Sequence, residues 1–235
     1  MLIRSEGSQV LFFQDELDAE ITPDYFDGEY WKRNNAITGS AFGRGVTWFF
    51  KINSDEFVLR HYHRGGLVAK IIKDSYIYTG LKRTRAYQEF VVTQQLVDKK
   101  LPVPQPIAGL VIKQGLFYRA DLITKKITGA RDLVAVLTTT ALDADMYYQI
   151  GVMLKRFHEA GLWHADLNSH NIIVGENNKL WLIDFDRCSF KRPERAWQQA
   201  NLDRLKRSFL KEKSKCVHFK WQLSDWNLLM EGYNN

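Results

Sequence analysis

Apolar residues form short runs in the first half of the chain, and turn residues separate these runs. Runs of strand length occur at 11–13, 46–50, 56–62, 107–112 and 116–123. The residues between them include Asn53-Ser54-Asp55 and Lys113-Gln114-Gly115, which are typical of hairpin turns. The pattern therefore predicts a β-rich first part with strands paired as hairpins.

Helical spacing of apolar residues marks three further segments. Asp143 or Asp145 is placed to cap the second of these segments, whose stripe runs from Met146 to Phe157, and Gly161 is placed to end it. The proline-rich stretch Leu101–Pro106 predicts a stiff extended connector after the first helix. The stripes are Tyr87, Phe90, Val91 and Val97; Met146, Ile150, Leu154 and Phe157; and Leu202, Leu205 and Phe209.

A last apolar pair of runs, Ile172–Val174 and Leu180–Ile183, flanks a turn at 176–178. We expect a β-hairpin here, because two strand-length runs enclose a short asparagine-containing turn. Such a hairpin would bring Asn171 and Asp184 together at its open end.

The polar residues around that hairpin carry the candidate chemistry. His164 opens the run His-Ala-Asp-Leu-Asn-Ser-His-Asn, and Asp184 follows the second apolar run. Protein kinases use the same order of side chains, with an acid, an amide five positions later and a second acid after a strand. Asp166 would accept the proton of a substrate hydroxyl, and Asn171 and Asp184 would hold Mg²⁺. The alternative is that these residues only cap turns, which is their commonest use.

Three features of the first part fit phosphate binding. Gly43 and Gly45 form a turn before an apolar strand, where backbone amides could approach a phosphate, although a plain hairpin turn is equally consistent. Arg60 ends the next strand, and Glu89 on the following helix could pair with it. His63-Arg64-Gly65-Gly66 is either an anion-binding turn or an exposed charged loop.

Composition and charge narrow the class of protein. With 45% hydrophobic residues in 235, the chain can bury a sizeable core, and its net charge of +6 favours anionic partners. Two cysteines give neither a disulfide framework nor a zinc spacing, which fits a reducing cytosol. We expect no signal peptide and no membrane span, because no apolar run is long enough.

Residues 187–215 form a basic tract with ten Lys or Arg against three acids. An ordinary solvated helix would show the same bias. The functional alternative is contact with an anionic substrate or an acidic membrane surface. Charge is the only feature that points to nucleic acid, and we expect no nucleic-acid partner.

Taken together, the chain resembles the lipopolysaccharide kinases of the protein-kinase-like superfamily. The resemblance rests on Gly43–Gly45, Leu59–Gly66, Arg85–Glu89, His164–Asn171 and Ile183–Arg187. It implies an α+β, bilobal protein-kinase-like fold, with a β-rich N-terminal lobe at 1–123 and a mostly helical C-terminal lobe at 124–235. It also implies ATP and Mg²⁺ as cofactors.

The resemblance further implies phosphorylation of a hydroxyl, the 4-OH, of 3-deoxy-D-manno-octulosonic acid (Kdo). The acceptor would be a Kdo–lipid A precursor at the cytoplasmic face of a Gram-negative inner membrane. In this assignment Asp166 is the base, Asn171 and Asp184 are metal ligands, and Arg60 contacts the ATP phosphates. Glu89 orients Arg60, and Gly43 and Gly45 lie against the nucleotide.

The chain departs from ordinary protein kinases in ways that bear on its acceptor. Arg60 stands where lysine is usual, and Asp186 replaces the glycine after Asp184-Phe185. No Ala-Pro-Glu follows, so we expect no peptide-docking platform and a small-molecule or glycolipid acceptor. The alternatives are a compact atypical protein kinase, a heptose or small-molecule phosphotransferase, and a catalytically dead binding module.

Overall fold

The computed structural model describes residues 1–14, 21–42, 45–63 and 74–235. These residues divide into two compact units. Unit 1 comprises 1–94 and 105–126, and unit 2 comprises 95–104 and 127–235, in each case within the described ranges. The mixture of strands and helices confirms the mixed α and β class, while the bilobal arrangement and the boundary at 123 stay predictions.

Unit 1 is built on an antiparallel sheet whose described strands run in the order β1-β2-β7-β8-β5-β4-β3, with β6 pairing β8. Two helices accompany it. The elements are β1 (Leu2–Glu6), β2 (Gln9–Phe13), α1 (Gly28–Arg33), β3 (Ile37–Phe42), β4 (Val46–Ile52), β5 (Asp55–His61), β6 (Tyr76–Ile77), α2 (Arg85–Asp98), β7 (Pro106–Gln114) and β8 (Phe117–Lys125).

The two faces of this sheet are covered by different parts of the chain. Side chains alternate between faces along a strand, so Leu11 and Phe13 pack with Trp31 of α1, while Phe12 packs with Phe90 of α2. Both Phe12 and Phe90 are fully buried, and each such side chain contributes about 1.5–3 kcal/mol of burial energy. The packing of α2 fixes the helix that carries Glu89.

The hairpins expected in this region are confirmed. β4 pairs with β5 across the turn at 53–54, and β7 pairs with β8 across Gly115, whose φ of +62° suits glycine. β5 also pairs with β8, which places Arg60 opposite Thr47 on one side and Leu122 on the other. Arg60 therefore projects from an interior strand that is held on both edges.

Unit 2 is mostly helical, with short strand pairs around the 164–171 loop. β11 pairs with β12 and β9, and β10 pairs with β13. The elements are β9 (Arg131–Asp132), α3 (Leu133–Leu137), α4 (Ala144–Glu159), β10 (Leu162–Trp163), β11 (Ile172–Val174), β12 (Leu180–Leu182), β13 (Ser189–Phe190), α5 (Arg195–Lys215) and α6 (Leu223–Asn234).

Three predictions for this unit are confirmed. Asp143 caps α4 by accepting a hydrogen bond from the Met146 backbone N–H at 2.8 Å, and Gly161 follows its end with a φ of +84°. β11 and β12 form the expected hairpin. The stripe at 202, 205 and 209 is buried on α5, and Trp221 stacks on Phe209 in the core.

α4 and α6 approach closely enough that their backbones touch. A Cβ added to Gly151 of α4 would lie 2.0 Å from the Leu229 carbonyl oxygen of α6, and one added to Gly232 would lie 2.0 Å from the Tyr148 carbonyl oxygen. The two glycines permit this helix crossing because neither carries a side chain.

Among the described residues, every helix is too short or too polar to cross a lipid bilayer.

Candidate active site

The 164–171 loop begins directly after β10 and ends in a 3-10 turn, Ser169–Asn171, that leads into β11. The carbonyl oxygen of Asp166 accepts hydrogen bonds from the side-chain amides of Asn168 and Asn171, each at 2.9 Å. Asn168 also caps the turn by accepting from the His170 backbone N–H. Backbone and amide bonds thus set the shape of the loop without using the Asp166 carboxylate.

The hairpin connects Asn171 to the segment that carries Asp184. Ile172 pairs with Leu182, and one step further the Ile183 backbone N–H donates to the Asn171 carbonyl oxygen at 3.0 Å. Asp184 then adopts φ +65°, in the left-handed region that few non-glycine residues occupy. The structure therefore brings Asn171 and the turn at Asp184 to the open end of the hairpin, as the sequence predicted.

His164 joins the start of the loop to the same turn. Its Nδ1 accepts from the Asp166 backbone N–H at 3.2 Å, so the proton lies on Nε2, which donates to the Ile183 carbonyl oxygen at 3.1 Å. Burial lowers the pKa of His164 and favours this neutral form. Phe185 packs against its ring. The imidazole is a structural bridge between Asp166 and the turn at Asp184.

The Asp166 carboxylate forms an ion pair with Arg204 of α5. The Arg204 Nε donates to Asp166 Oδ1 at 2.9 Å, and Nη2 donates to the same oxygen. Both side chains are about half exposed, 51% for Asp166 and 48% for Arg204. The carboxylate is therefore accessible to solvent and to a substrate while one of its oxygens is held.

Arg204 belongs to a polar stripe on α5 that contacts the 164–171 loop along its length. Asn201 accepts from the His164 N–H at 3.1 Å and donates to the His164 carbonyl oxygen at 3.0 Å. Ser208 bonds both the backbone N–H and the hydroxyl of Ser169. Glu212 lies 3.7 Å from a ring nitrogen of His170. The residues of this α5 stripe, spaced for one helical face, are Asn201, Arg204, Ser208 and Glu212.

In unit 1, Arg60 and Glu89 form the expected ion pair. Glu89 is buried and also accepts a hydrogen bond from the Tyr62 hydroxyl through its other oxygen. Burial, followed by the nearby Glu89 charge, raises the pKa of Tyr62 well above its ordinary value, so this hydroxyl stays a donor. Both Glu89 oxygens are thus engaged, and the Arg60 side chain keeps about a third of its surface exposed.

Of the glycine turn, Gly45 lies in the described part of the chain, while Gly43 and Arg44 lie outside it, as do Arg64, Gly65 and Gly66. A Cβ added to Gly45 would lie 2.0 Å from the His63 ring, so a side chain at this position would displace the imidazole. Close approach by His63 thus requires glycine here.

The residues expected to hold a metal supply oxygen donors. Since the Asn171 Nδ2 donates to a backbone carbonyl, its amide oxygen is the atom left to coordinate, and Asp184 adds a carboxylate. A carboxylate and an amide oxygen suit Mg²⁺, which completes its shell with water and phosphate oxygens. Within the described ranges no group of three or more His, Cys, Asp or Glu could hold a metal. These two oxygen donors suit Mg²⁺.

Sequence reasoning missed Tyr62 and the whole α5 stripe. A signal for the stripe was available, since polar Asn201, Arg204 and Ser208 alternate with the apolar residues of the buried face. Asn201 and Glu212 are buried polar residues on α5, and such residues need partners.

An ion-paired arginine on a strand is a feature of phosphotransferases of the protein-kinase type. So is a loop and hairpin that carry an acid, an amide and a second acid. Residues 28–233 match the lipopolysaccharide kinase (Kdo/WaaP) family. The chain belongs to this family, and it is an ATP-dependent kinase.

Curated relatives match over most of the chain. A 3-deoxy-D-manno-octulosonic acid kinase from Vibrio parahaemolyticus is 43% identical over 226 residues, covering 96% of this chain and 94% of the relative. One from Actinobacillus succinogenes is 42% identical over 243 residues and covers 99% of each chain. One from Vibrio cholerae is 43% identical over 208 residues, covering 88% of this chain and 88% of the relative.

Proposed function

We propose that this chain transfers the γ-phosphoryl group of ATP to a hydroxyl of Kdo during lipopolysaccharide inner-core synthesis. The acceptor is Kdo on a lipid A precursor, and the hydroxyl is the 4-OH. The main support is the hydrogen-bonded unit of the 164–171 loop and the hairpin, which links Asp166, Asn171 and the turn at Asp184. The names of relatives at 41–43% identity support the sugar.

In this mechanism Asp166 orients the sugar hydroxyl and accepts its proton. The hydroxyl oxygen forms a bond to the γ-phosphorus, and the bond from that phosphorus to the β-phosphate oxygen breaks, so ADP leaves with the electron pair. The transition state is loose, and positioning contributes more than base strength. Asn171 and Asp184 hold Mg²⁺, which would neutralise phosphate charge when it is bound.

Arg60 contacts the ATP phosphates in this proposal, and Glu89 orients it. A guanidinium fits the task because it stays charged and binds phosphate oxygens through two N–H groups. Glu89 and Tyr62 restrict its motion. Gly43 and Gly45 would bind the nucleotide in this proposal, and the chain would have the bilobal kinase fold with the boundary between its lobes at residue 123.

We further propose that the protein binds the cytoplasmic face of the inner membrane through a C-terminal surface. It consists of exposed apolar Val217 and Leu223 with Lys213 and Lys220, and Asp225 also lines it. Val217 is 97% exposed and Leu223 57%, and both line an open depression of about 660 Å³. Lys213 donates to the Trp221 carbonyl and Lys220 to the Thr139 carbonyl. Exposed apolar side chains beside lysines suit an anionic lipid surface.

An acceptor panel tests the sugar assignment. The protein is incubated with labelled ATP, Mg²⁺ and, separately, a Kdo–lipid A precursor, a heptose-containing core acceptor or a generic protein substrate. Label should enter the Kdo acceptor alone. Transfer to heptose or to protein without transfer to Kdo would replace this function with one of its rivals.

A further inference from the structure

The Arg204–Asp166 ion pair uses only some of the hydrogen-bonding groups of the two side chains. In the described part of the chain, both recorded bonds from Arg204 end on Oδ1, and Oδ2 of Asp166 accepts none. A guanidinium has five N–H groups, so three remain on Arg204. The pair therefore offers one carboxylate oxygen to a hydroxyl and several N–H donors to an anion beside it.

The distance between the remaining Arg204 N–H groups and the transferring phosphoryl group decides whether these groups can take part in the reaction. If Oδ2 accepts the acceptor hydroxyl, the attacking oxygen lies about 2.7 Å from it, and the γ-phosphorus about 3–3.5 Å beyond. The guanidinium, bonded to Oδ1, then lies across the carboxylate from the attacking oxygen and the transferring group. Its half-exposed side chain can turn its remaining N–H groups toward phosphoryl oxygens while Nε stays on Oδ1.

The 164–171 loop itself has no cation that could serve this purpose. Between Asp166 and Asn171 stand Leu167, Asn168, Ser169 and His170. Ser169 bonds to Ser208, Asn168 closes the turn, and His170 lies against Asp132 and Glu212. Arg204 is the arginine that α5 brings to the acid of this loop.

We propose that Arg204 is a catalytic residue that steadies Asp166 and donates to the oxygens of the transferring phosphoryl group. This inference rests on the proposed function. The proton of the sugar hydroxyl passes to Oδ2, and the new oxygen–phosphorus bond forms as the bond to ADP breaks. The guanidinium stabilises the charge that a loose transition state spreads over the equatorial oxygens.

The test compares Arg204→Ala with wild type in steady-state kinetics at saturating acceptor. We expect kcat to fall at least ~10²-fold, because arginines at transferring phosphoryl groups contribute ~10³–10⁵. KM for ATP should stay within about threefold, since Arg204 does not hold the ground-state nucleotide. Arg204→Lys should recover part of kcat, and added ethylguanidinium should partly rescue Arg204→Ala.

Lys155→Ala serves as the matched control. Lys155, which is partly buried, forms an ion pair with the exposed Glu159 on α4, so the substitution also removes one charge and one ion pair from unit 2. Its kcat should equal that of wild type. Melting temperatures of all variants should agree within a few degrees, because neither ion pair is fully buried.

Three results would overturn the proposal. These are a kcat within threefold of wild type in Arg204→Ala, a faster rate, and a loss confined to the KM of the acceptor. Failure of the proposed function looks different, because wild type itself would then transfer nothing to Kdo. If another acceptor is phosphorylated instead, the same comparison applies with that acceptor.

Discussion

The proposed chemistry depends on Asp166, and the surroundings of this residue allow a clean test. Its backbone carbonyl, rather than its carboxylate, anchors Asn168 and Asn171. Asp166→Ala should therefore keep the loop intact and lose only the ion pair with Arg204, which costs at most about 1 kcal/mol for an exposed pair. We expect kcat to fall at least ~10²-fold, the usual contribution of a general base.

The measurements for Asp166→Ala are turnover, ATP binding by calorimetry and thermal unfolding. ATP affinity and melting temperature should stay close to wild type. Near-normal turnover would remove Asp166 from the mechanism. A collapse of the melting temperature would instead mean that the carboxylate supports the fold.

Glu89 gives a second prediction at this scale. Glu89→Gln keeps the shape of the buried side chain but removes its negative charge. The Glu89 carboxylate forms the ion pair with Arg60 and accepts the hydrogen bond from the Tyr62 hydroxyl. We expect KM for ATP to rise about tenfold and stability to fall by about 1.5–3 kcal/mol, the range for hydrogen bonds to charged groups.

Tyr62→Phe is the matched control for Glu89→Gln. It removes the hydrogen bond from the Tyr62 hydroxyl to Glu89 and the 3.4 Å bond that this hydroxyl accepts from Arg60, and it leaves the ion pair. Its effect on KM for ATP should be clearly smaller. ATP kinetics and urea unfolding measure both variants. An unchanged KM for ATP in Glu89→Gln would contradict the role of the ion pair in nucleotide binding.

Single residues also show which parts of the site could be predicted from the sequence and which could not. Asp166, Asn171 and Asp184 could be proposed as site residues because they share one short segment with fixed spacing. Arg204 lies 38 positions from Asp166, and no local pattern indicates which loop a surface arginine of α5 faces. Its partner became evident only from the packing of that helix.

At the scale of elements, the contact between α4 and α6 depends on glycine. In an unconstrained helix, Gly→Ala stabilises by about 1 kcal/mol. At Gly151 the added methyl group would lie 2.0 Å from the Leu229 carbonyl, and backbone cannot yield as a flexible side chain does. We expect Gly151→Ala to destabilise the protein by roughly 1–3 kcal/mol, the range for overpacked sites.

Urea unfolding monitored by circular dichroism measures the change for Gly151→Ala. Ala144→Gly, at the exposed start of α4, is a comparison that should cost no more than the propensity difference of about 1 kcal/mol. A Gly151→Ala variant more stable than wild type would show that the two helices do not meet as described.

Periodicity predicted the elements with strong patterns and missed those without them. The hairpins at 46–61, 106–125 and 172–182 followed from apolar runs and turn residues. α3 and α6 were not predicted. Leu133–Leu137 is too short to show a helical period, and the glycine and tyrosine in α6 dilute its stripe.

At the scale of the whole molecule, the division of the chain follows contacts between residues far apart in the sequence, and residues 95–104 belong to unit 2. In this stretch the Pro102 carbonyl accepts from the Leu182 backbone N–H, and the Lys100 carbonyl accepts from the Arg156 side chain. No sequence pattern marks such bonds. The functional boundary near residue 123 remains a prediction.

The C-terminal surface leads to a prediction about membrane binding. The double variant Val217→Asp and Leu223→Asp replaces two exposed apolar side chains, so it should fold normally. Sedimentation with vesicles containing phosphatidylglycerol should fall at least ~10-fold, because each apolar side chain contributes about 1.5–3 kcal/mol when it leaves water.

Leu116→Asp is the control for the membrane experiment, because Leu116 is 79% exposed in a turn of unit 1. Its sedimentation should match that of wild type. Vesicles of phosphatidylcholine alone should bind all proteins weakly, since they lack the negative charge that attracts lysine. Equal binding by the double variant and wild type would place the membrane contact elsewhere.

The central claim is that phosphate moves from ATP to a Kdo hydroxyl. The most direct measurement is mass spectrometry of a Kdo–lipid A precursor after incubation with the protein, ATP and Mg²⁺, with fragmentation to locate the new group. We predict one added phosphate on Kdo at the 4-OH with wild type and almost none with Asp166→Ala. An unmodified precursor, or a phosphate on any other sugar, would contradict the account.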